Sequence, residues 1–153
     1  MKFVADAMLG RLAKWLRILG HDTVYFPDLE DRELVRLARA EDRVLLTRDT
    51  ELARRRGLRS LLVESDRFEE QLGQLLRDLS LDMESPPRCA RCNALLAAID
   101  KAAAKGRVPP YVYRRHSDFT LCPACDKVHW RGTHWQRMRE RIDQIREGNV
   151  SSA

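Results

Sequence analysis

The stretch that decides the fold is KFVADAMLGRLAKWLRILGHDTVYFP, residues 2–27. Between Leu9 and Leu16, apolar residues recur at spacings of three and four, which is the period of a helix with one buried stripe. Gly20 favours the end of that helix, and Pro27 ends the β-branched and aromatic segment that follows. The stretch therefore predicts a strand, a helix and a second strand, over residues 2–5, 9–20 and 23–26.

The same alternation continues to the end of the first half of the chain. Helical spacing returns at Leu34, Leu37 and Ala38, and we expect Asp31 to be the N-terminal cap of this helix. The remaining predicted strands and helices are residues 43–47, 50–56, 60–63 and 72–79. Strands that alternate with helices form a mainly parallel sheet with helices on both faces. The predicted fold class of this half is therefore α/β.

The charge of the chain is unevenly distributed between its halves. Residues 1–85 have a net charge of −2, and residues 86–153 have a net charge of +7. We interpret the segment Ser85-Pro86-Pro87 at this boundary as a short, stiff linker between two domains. A basic half is typical of proteins that bind nucleic acid, although a solvated basic surface explains it equally well.

Aspartates follow the predicted strands of the first half, at positions Asp6, Asp28, Asp31 and Asp49. Because ligands of parallel sheets bind beyond the carboxyl ends of the strands, we expect these side chains at one edge. Clustered carboxylates need cations, and oxygen ligands suit Mg²⁺ or Mn²⁺, which can activate water for phosphodiester hydrolysis. The alternative is that Asp31 and Asp49 cap helices and that Asp28 is a turn residue.

Basic side chains lie close to this predicted edge. Arg11, Lys14 and Arg17 share the first helix, and Arg48 directly precedes Asp49. Cations beside a metal cluster could hold a phosphate backbone. A solvated helix face is the competing interpretation.

Cys89-Ala-Arg-Cys92 and Cys122-Pro-Ala-Cys125 are two C-x-x-C motifs, separated by 29 residues. Paired motifs of this kind predict a zinc ribbon, and four thiolates complete the shell of a structural Zn²⁺. The competing interpretation is disulfides. We favour zinc because the charged first twenty residues do not resemble a secretory signal, which indicates a reducing compartment.

Arginines and aromatic residues are interleaved around the two motifs, a pattern typical of proteins that bind single-stranded nucleic acid. They include Arg114, Arg115, Tyr111, Tyr113, Trp130 and Trp135. The aromatic residues could instead form the core of the ribbon. Residues 133–147 predict a final helix, and residues 148–153 a loose tail.

No uninterrupted apolar run reaches the roughly 18 residues that a membrane span requires. The sequence therefore predicts no transmembrane helix and no membrane partner. With no secretory signal, we expect a cytoplasmic location.

The segments DAMLGRLAKWLR, GHDT and LLTRD (residues 6–17, 20–23 and 45–49) resemble the Mut-seven C-terminal ribonuclease domain family. The segments PPYVY and HWRGTHW (residues 109–113 and 129–135) are similar to the zinc ribbon of that family. The resemblance covers residues 2 to about 140. The family is assigned to the PIN-like nucleases, which combine a small parallel-sheet domain with an acidic metal site.

This resemblance implies metal-dependent cleavage of RNA. Position by position, it assigns the catalytic carboxylates that bind Mg²⁺ or Mn²⁺ to Asp6, Asp31 and Asp49, with Asp28 and Glu30 as alternatives to Asp31. The hypothesis is a PIN-like nuclease domain over residues 1–85, followed by a zinc ribbon with a C-terminal helix over residues 86–153 that binds the RNA.

Two other hypotheses remain open at this point. The first is a non-catalytic RNA-binding module with a degenerate acidic site. The second is a protein-interaction partner whose basic half docks an acidic protein.

Overall fold

The structure is a computed structural model that describes residues 1–151, with side chains described through residue 148. The chain forms two compact units, Met1–Asn93 and Ala94–Ala153. No helix within the described residues is both long enough and apolar enough to cross a membrane.

The first unit is built around a parallel sheet with strand order β2-β1-β3-β4. Its strands are β1 (Phe3–Ala5), β2 (Thr23–Val24), β3 (Val44–Thr47) and β4 (Ser60–Leu62). A 3₁₀ turn (Ala7–Leu9) precedes helix α1 (Gly10–Ile18), and the later helices are α2 (Asp31–Ala40), α3 (Thr50–Ala53) and α4 (Phe68–Leu79). This order of elements and the parallel sheet confirm the predicted α/β class.

The two central strands are buried along their whole length because both of their faces are covered. Val4 of β1 and Leu45 of β3 pack in one cluster with Leu34 and Ala38 of α2. Side chains alternate along a strand, so Leu46 points to the opposite face. Leu46 is fully buried as well. Burial on both faces explains why this strand reads as a continuous apolar run.

Strand β2 is shorter than the sequence predicts. It ends at Val24, so Tyr25 and Phe26 lie in the following loop, and the prediction is wrong for these two residues. The hydroxyl of Tyr25 donates to the carbonyl of Ala7 at 3.0 Å, and Pro27 has no N–H for the ladder. The chain therefore leaves the sheet two residues early, with the Phe26 side chain exposed.

Asp31 does not cap helix α2, and that prediction is wrong. It is the first residue of the helix, and the cap position belongs to Glu30, whose backbone is extended and whose side chain makes no capping hydrogen bond. A capping residue needs an extended backbone. Asp31 has a helical backbone, so its side chain cannot cap α2.

Helix α1 ends as predicted, and its end contacts the segment around Pro86. Gly20 has a φ of 96°, in the left-handed region that favours glycine. A Cβ atom at this position would lie 2.6 Å from the carbonyl oxygen of Pro86 and 2.6 Å from Cβ of Ser85. The N–H of Arg88 donates to the carbonyl of Arg17 at 2.9 Å. The segment predicted as a linker thus packs closely on the end of α1.

The second unit contains an antiparallel sheet with strand order β5-β6-β7. Its elements are β5 (Ala97–Ile99), α5 (Lys101–Ala104), α6 (Pro110–Arg115), β6 (Phe119–Cys122), β7 (Lys127–His129) and α7 (Thr133–Ser151). Val112, Phe119 and Val128 form its core, and Tyr113 and Trp130 pack against them. The interpretation of these two aromatic residues as core is therefore confirmed.

Helix α7 continues beyond the predicted end at residue 147. It runs to Ser151, so the predicted loose tail is wrong for residues 148–151, and residues 152–153 lie outside the described part of the chain. Gly148 lies within the helix because a single glycine costs only about 1 kcal/mol relative to alanine and no proline follows it.

Candidate functional site

The first candidate site lies at the carboxyl ends of β1 and β3, and we call the group Asp6, Thr47 and Asp49 the acidic edge. The register pairs Ala5 with Leu46, which places Asp6 opposite Thr47. The Thr47 hydroxyl donates to Oδ2 of Asp6 at 2.5 Å and accepts the backbone N–H of Asp49 at 3.0 Å. One buried hydroxyl therefore connects both aspartates.

Both aspartates of the acidic edge also cap a helix. Oδ1 of Asp6 accepts the N–H of Met8 at 3.0 Å, at the start of the 3₁₀ turn. Oδ1 of Asp49 accepts the N–H groups of Glu51 and Leu52 at 2.9 and 3.2 Å. The interpretation of Asp49 as a cap is confirmed. Because both of its bonds end on Oδ1, Oδ2 of Asp49 is left for a further partner.

The other predicted carboxylates form no metal-binding group with this pair among the described residues. Asp28, Glu30 and Asp31 are exposed, and Glu30 lies 3.9 Å from the guanidinium of Arg32. Among the described residues, the only group of three or more potential metal ligands that converges is formed by cysteines. The structure links Asp6 to Asp49 and does not bring Asp31 into the same group.

The predicted phosphate-binding residues have very different surroundings. Lys14 is exposed, and the guanidinium of Arg11 lies over the ring of Phe68, 4.4 Å from its centroid. Nε of Arg48 is buried without a hydrogen-bond partner. Arg114 and Arg115 are exposed in the last turn of α6.

Arg17 is buried and binds main-chain carbonyl groups. Its Nε donates to Thr23 at 2.8 Å, and its Nη1 donates to Ala90 at 3.0 Å and to Arg91 at 3.3 Å. Burial lowers the pKa of Arg17 below its usual value. Its guanidinium therefore fixes the segment around Ala90 onto α1, rather than facing solvent as Lys14 does.

The second candidate site is the cysteine group, formed by Cys89, Cys92, Cys122 and Cys125. All four sulfur atoms lie within 4.8 Å of one another. Zinc–sulfur bonds of about 2.3 Å place the corners of a tetrahedral site about 3.8 Å apart. The donor chemistry and the spacing therefore fit a tetrahedral thiolate-bound metal ion such as zinc.

The two C-x-x-C motifs fold in the same way. The carbonyl of Cys89 accepts the N–H of Asn93, and the carbonyl of Cys122 accepts the N–H of Asp126, both at 2.8 Å. Asn93 and Asp126 have φ values of 71° and 54°. Asn and Asp are the residues other than glycine that adopt this left-handed conformation most readily. Each motif thus closes its own turn.

Asn93 fastens the first motif to the sheet. Its side chain donates to Oδ1 of Asp22 at 2.7 Å and accepts the N–H of Thr23 at 3.0 Å. Asp22 also accepts from Arg43 at 2.8 Å. Burial alone would raise the pKa of Asp22, but the hydrogen bonds from Arg43 and Asn93 bring it below its usual value.

Thr47 and Asn93 are site residues that the sequence patterns do not predict. The signal for Thr47 is a polar residue at the end of a buried strand, two positions before an aspartate. The signal for Asn93 is a residue that tolerates positive φ directly after a C-x-x-C motif.

One family model matches nearly the whole chain: the Mut7-C RNAse domain covers residues 1–142. The chain belongs to this family. The match includes the acidic edge and all four cysteines, and it confirms the resemblance found in the sequence. Membership in the Mut7-C family suggests a ribonuclease-type function. No match was found among curated proteins or among solved structures.

Proposed function

We propose that the protein is a ribonuclease that uses Mg²⁺ or Mn²⁺ at the acidic edge to hydrolyse phosphodiester bonds of RNA. The proposal rests on two hydrogen bonds of the Thr47 hydroxyl, which donates to the Asp6 carboxylate and accepts the backbone N–H of Asp49. Asp6 and Asp49 follow two neighbouring parallel strands, at the edge where such sheets bind ligands. The family match supports RNA as the substrate class.

The donor atoms of the acidic edge suit a hard cation. Each carboxylate oxygen has two lone pairs, so the capping bonds of Asp6 leave acceptor capacity. Oδ2 of Asp49 takes no part in its cap. Asp6 and Asp49 would hold the ion, with water molecules in its remaining positions. A bound divalent ion supplies an acidified water and stabilises the charge of the leaving oxygen.

The residues around the ion would fix its ligands and the phosphate. The Thr47 hydroxyl donates to Asp6, which holds that carboxylate in one orientation, and only 8% of Asp6 is exposed to water. Arg48 lies between Thr47 and Asp49 in sequence, and its partly exposed guanidinium would bind a phosphate oxygen. Arg11 and Lys14 would extend this contact along the RNA backbone.

The cysteine group would bind Zn²⁺ with a structural role. Four thiolates complete a tetrahedral shell and leave no open position for chemistry. The second unit would bind RNA through Arg114 and Arg115, which are both exposed. Zinc-bound thiolates persist in a reducing compartment, so the proposal includes a cytoplasmic location.

One observation favours the alternative of a non-catalytic RNA-binding module. Asp6 and Asp49 already have structural roles as caps, and within the described residues no three carboxylates converge. In that case, RNA binding would not depend on a divalent ion at this edge.

Cleavage of a panel of single-stranded and structured RNAs tests the proposal. The zinc-loaded protein is incubated with Mg²⁺, with Mn²⁺ or with neither, beside the variants Asp6→Asn and Asp49→Asn. Asp78→Asn is the matched control because Asp78 is exposed near the end of α4. Cleavage that needs the divalent ion and is lost only in the first two variants supports the nuclease. Intact RNA that still binds all four proteins identifies the binding module.

A further inference from the structure

A groove of about 690 Å³ lies beside helix α1 in the first unit. Cations, aromatic and apolar side chains and Cys92 of the cysteine group line it, and none of these described lining residues is an aspartate or a glutamate. The members that matter here are Lys14 of α1, Tyr25, Phe26 and Pro27 of the loop after β2, and Arg91 of the first C-x-x-C motif. We call it the α1 groove.

The walls of the α1 groove are held in place before any ligand binds. Arg17 donates to the carbonyls of Ala90 and Arg91, which fixes the segment that carries the Arg91 side chain. Tyr25 donates to Ala7, and a Cβ atom at Gly10 would lie only 2.9 Å from the Tyr25 hydroxyl. The absence of a side chain at Gly10 therefore lets the tyrosine ring approach α1. A preorganised groove loses little conformational entropy on binding.

The chemistry of the groove is that of a single-stranded nucleic-acid site. Phe26 exposes 58% of its surface, which is unusual for a large apolar ring. Lys14 and Arg91 are exposed cations on the same groove. An aromatic face for a base together with cations for phosphates is the combination that binds unpaired strands. An acidic peptide would use the cations but would leave the ring without a stacking partner.

We propose that the α1 groove binds single-stranded RNA, with an unpaired base stacked on Phe26 and the flanking phosphates bound by Lys14 and Arg91. The identity of the polyanion rests on the proposed ribonuclease function. The groove also adjoins the acidic edge along the chain, because a single 3₁₀ turn separates Asp6 from Gly10. RNA held in the groove would be delivered to that edge.

The test measures the Kd of a short, labelled oligouridylate by fluorescence anisotropy, with zinc-loaded protein and no added Mg²⁺ or Mn²⁺. Phe26→Leu keeps an apolar side chain but removes the stacking face, so the Kd should rise at least about fivefold. Phe26→Tyr should retain the wild-type Kd. Binding of an RNA duplex should not change in either variant, since its bases are already stacked.

The cation contacts are tested through the salt dependence of the same Kd. Each of Lys14→Ala and Arg91→Ala should reduce the slope of log Kd against log salt by about 0.7, the value for one phosphate contact on a single strand. The matched control is Lys2→Ala. Lys2 is an exposed cation directly before β1, at the amino-terminal end of the strand and so opposite the acidic edge. Its salt slope should equal that of the wild type.

Cleavage of the same RNA with Mn²⁺, measured in parallel, separates this inference from the proposed function. Wild-type cleavage together with an unchanged Kd in Phe26→Leu overturns the α1 groove and leaves the ribonuclease standing. Groove-dependent binding without cleavage supports the groove and overturns the ribonuclease. If the wild type binds no RNA, both proposals fail.

Discussion

The cysteine group and the acidic edge differ in how far each site is assembled by the fold. Four sulfur atoms converge within 4.8 Å, and each C-x-x-C motif closes its own turn through backbone hydrogen bonds. The aspartates come from separate strands, and their oxygens accept hydrogen bonds from helix caps and from Thr47. The spacing within a C-x-x-C motif fixes the positions of its two ligands. The positions of carboxylates at strand ends depend on how the strands pair, and their oxygens are also used by capping hydrogen bonds.

The largest expected effect concerns the cysteine group. Cys122→Ser should reduce bound zinc, measured by elemental analysis of the purified chain, from one ion per chain to a trace. The free energy that a structural zinc contributes, on the order of 10 kcal/mol at pH 7, would be lost with it. Asp126→Asn is the control, since Asn occupies the equivalent position after the first motif. Full zinc content in Cys122→Ser would contradict a four-thiolate site.

The next effect separates the two roles of Asp49. Serine also caps helices, so Asp49→Ser should keep the free energy of unfolding, whereas Asp49→Ala should lower it by about 1 kcal/mol. Both variants remove the carboxylate and should lose cleavage by a factor on the order of a hundred or more. Urea unfolding and RNA cleavage are measured on both proteins. Wild-type cleavage by Asp49→Ser would mean that Asp49 is only a cap.

A smaller effect is expected at Thr47, which is fully buried. Thr47→Val removes the hydroxyl and leaves Oδ2 of Asp6 and the N–H of Asp49 without this partner. The free energy of unfolding should fall by about 1–3 kcal/mol, measured by urea unfolding. Thr47→Val should also lower kcat for RNA cleavage, because Asp6 loses the bond that orients it. Thr47→Ser keeps the hydroxyl and should retain kcat, even though it loses a buried methyl group. Equal kcat in the two variants would argue against a positioning role.

The smallest expected effect is a pH dependence of stability at His21, which contacts the segment that precedes the first C-x-x-C motif. His21 is buried and its Nε2 lies 2.8 Å from the carbonyl of Asp82, which precedes that motif. Burial lowers the pKa of His21 below its usual 6.5, so the folded state binds fewer protons than the unfolded state. Its contribution to stability is complete above pH 6.5 and is lost as the pH falls through the lowered pKa.

The measurement for His21 is urea unfolding of the wild type and of His21→Gln over a series of pH values. Below pH 6.5, the wild type should lose stability more steeply than the variant. Protonation of the zinc ligands affects both proteins alike, so the difference between the two curves isolates the histidine. Parallel curves would show that His21 does not titrate in this range.

The sequence predicted what depends on local pattern. The α/β alternation and the helix end at Gly20 follow from residues close together in the chain. The cysteine group follows from two short motifs that share one ligand chemistry, although 29 residues separate them. The hydrogen bond between Asp6 and Thr47 could not be predicted, because it depends on the pairing of Ala5 with Leu46 across forty residues.

The differences elsewhere have a similar origin. Aromatic composition predicts a strand at Phe26, but β2 is an edge strand with a single neighbour and ends at Val24. The burial of Arg17 depends on carbonyls more than seventy residues away, which no helical spacing reveals. Long-range partners decide both cases.

The order in which the ligands occur along the chain has a consequence for biosynthesis. All strand pairings of the parallel sheet lie within residues 3–62, whereas the cysteine group is complete only with Cys125. Translation at about 5–20 residues per second separates these points by several seconds. In a nascent chain, the parallel sheet could therefore form before Cys122 and Cys125 are available to complete the zinc site with Cys89 and Cys92. A shortage of zinc in the cell would act on the last step of maturation and leave the earlier ones untouched.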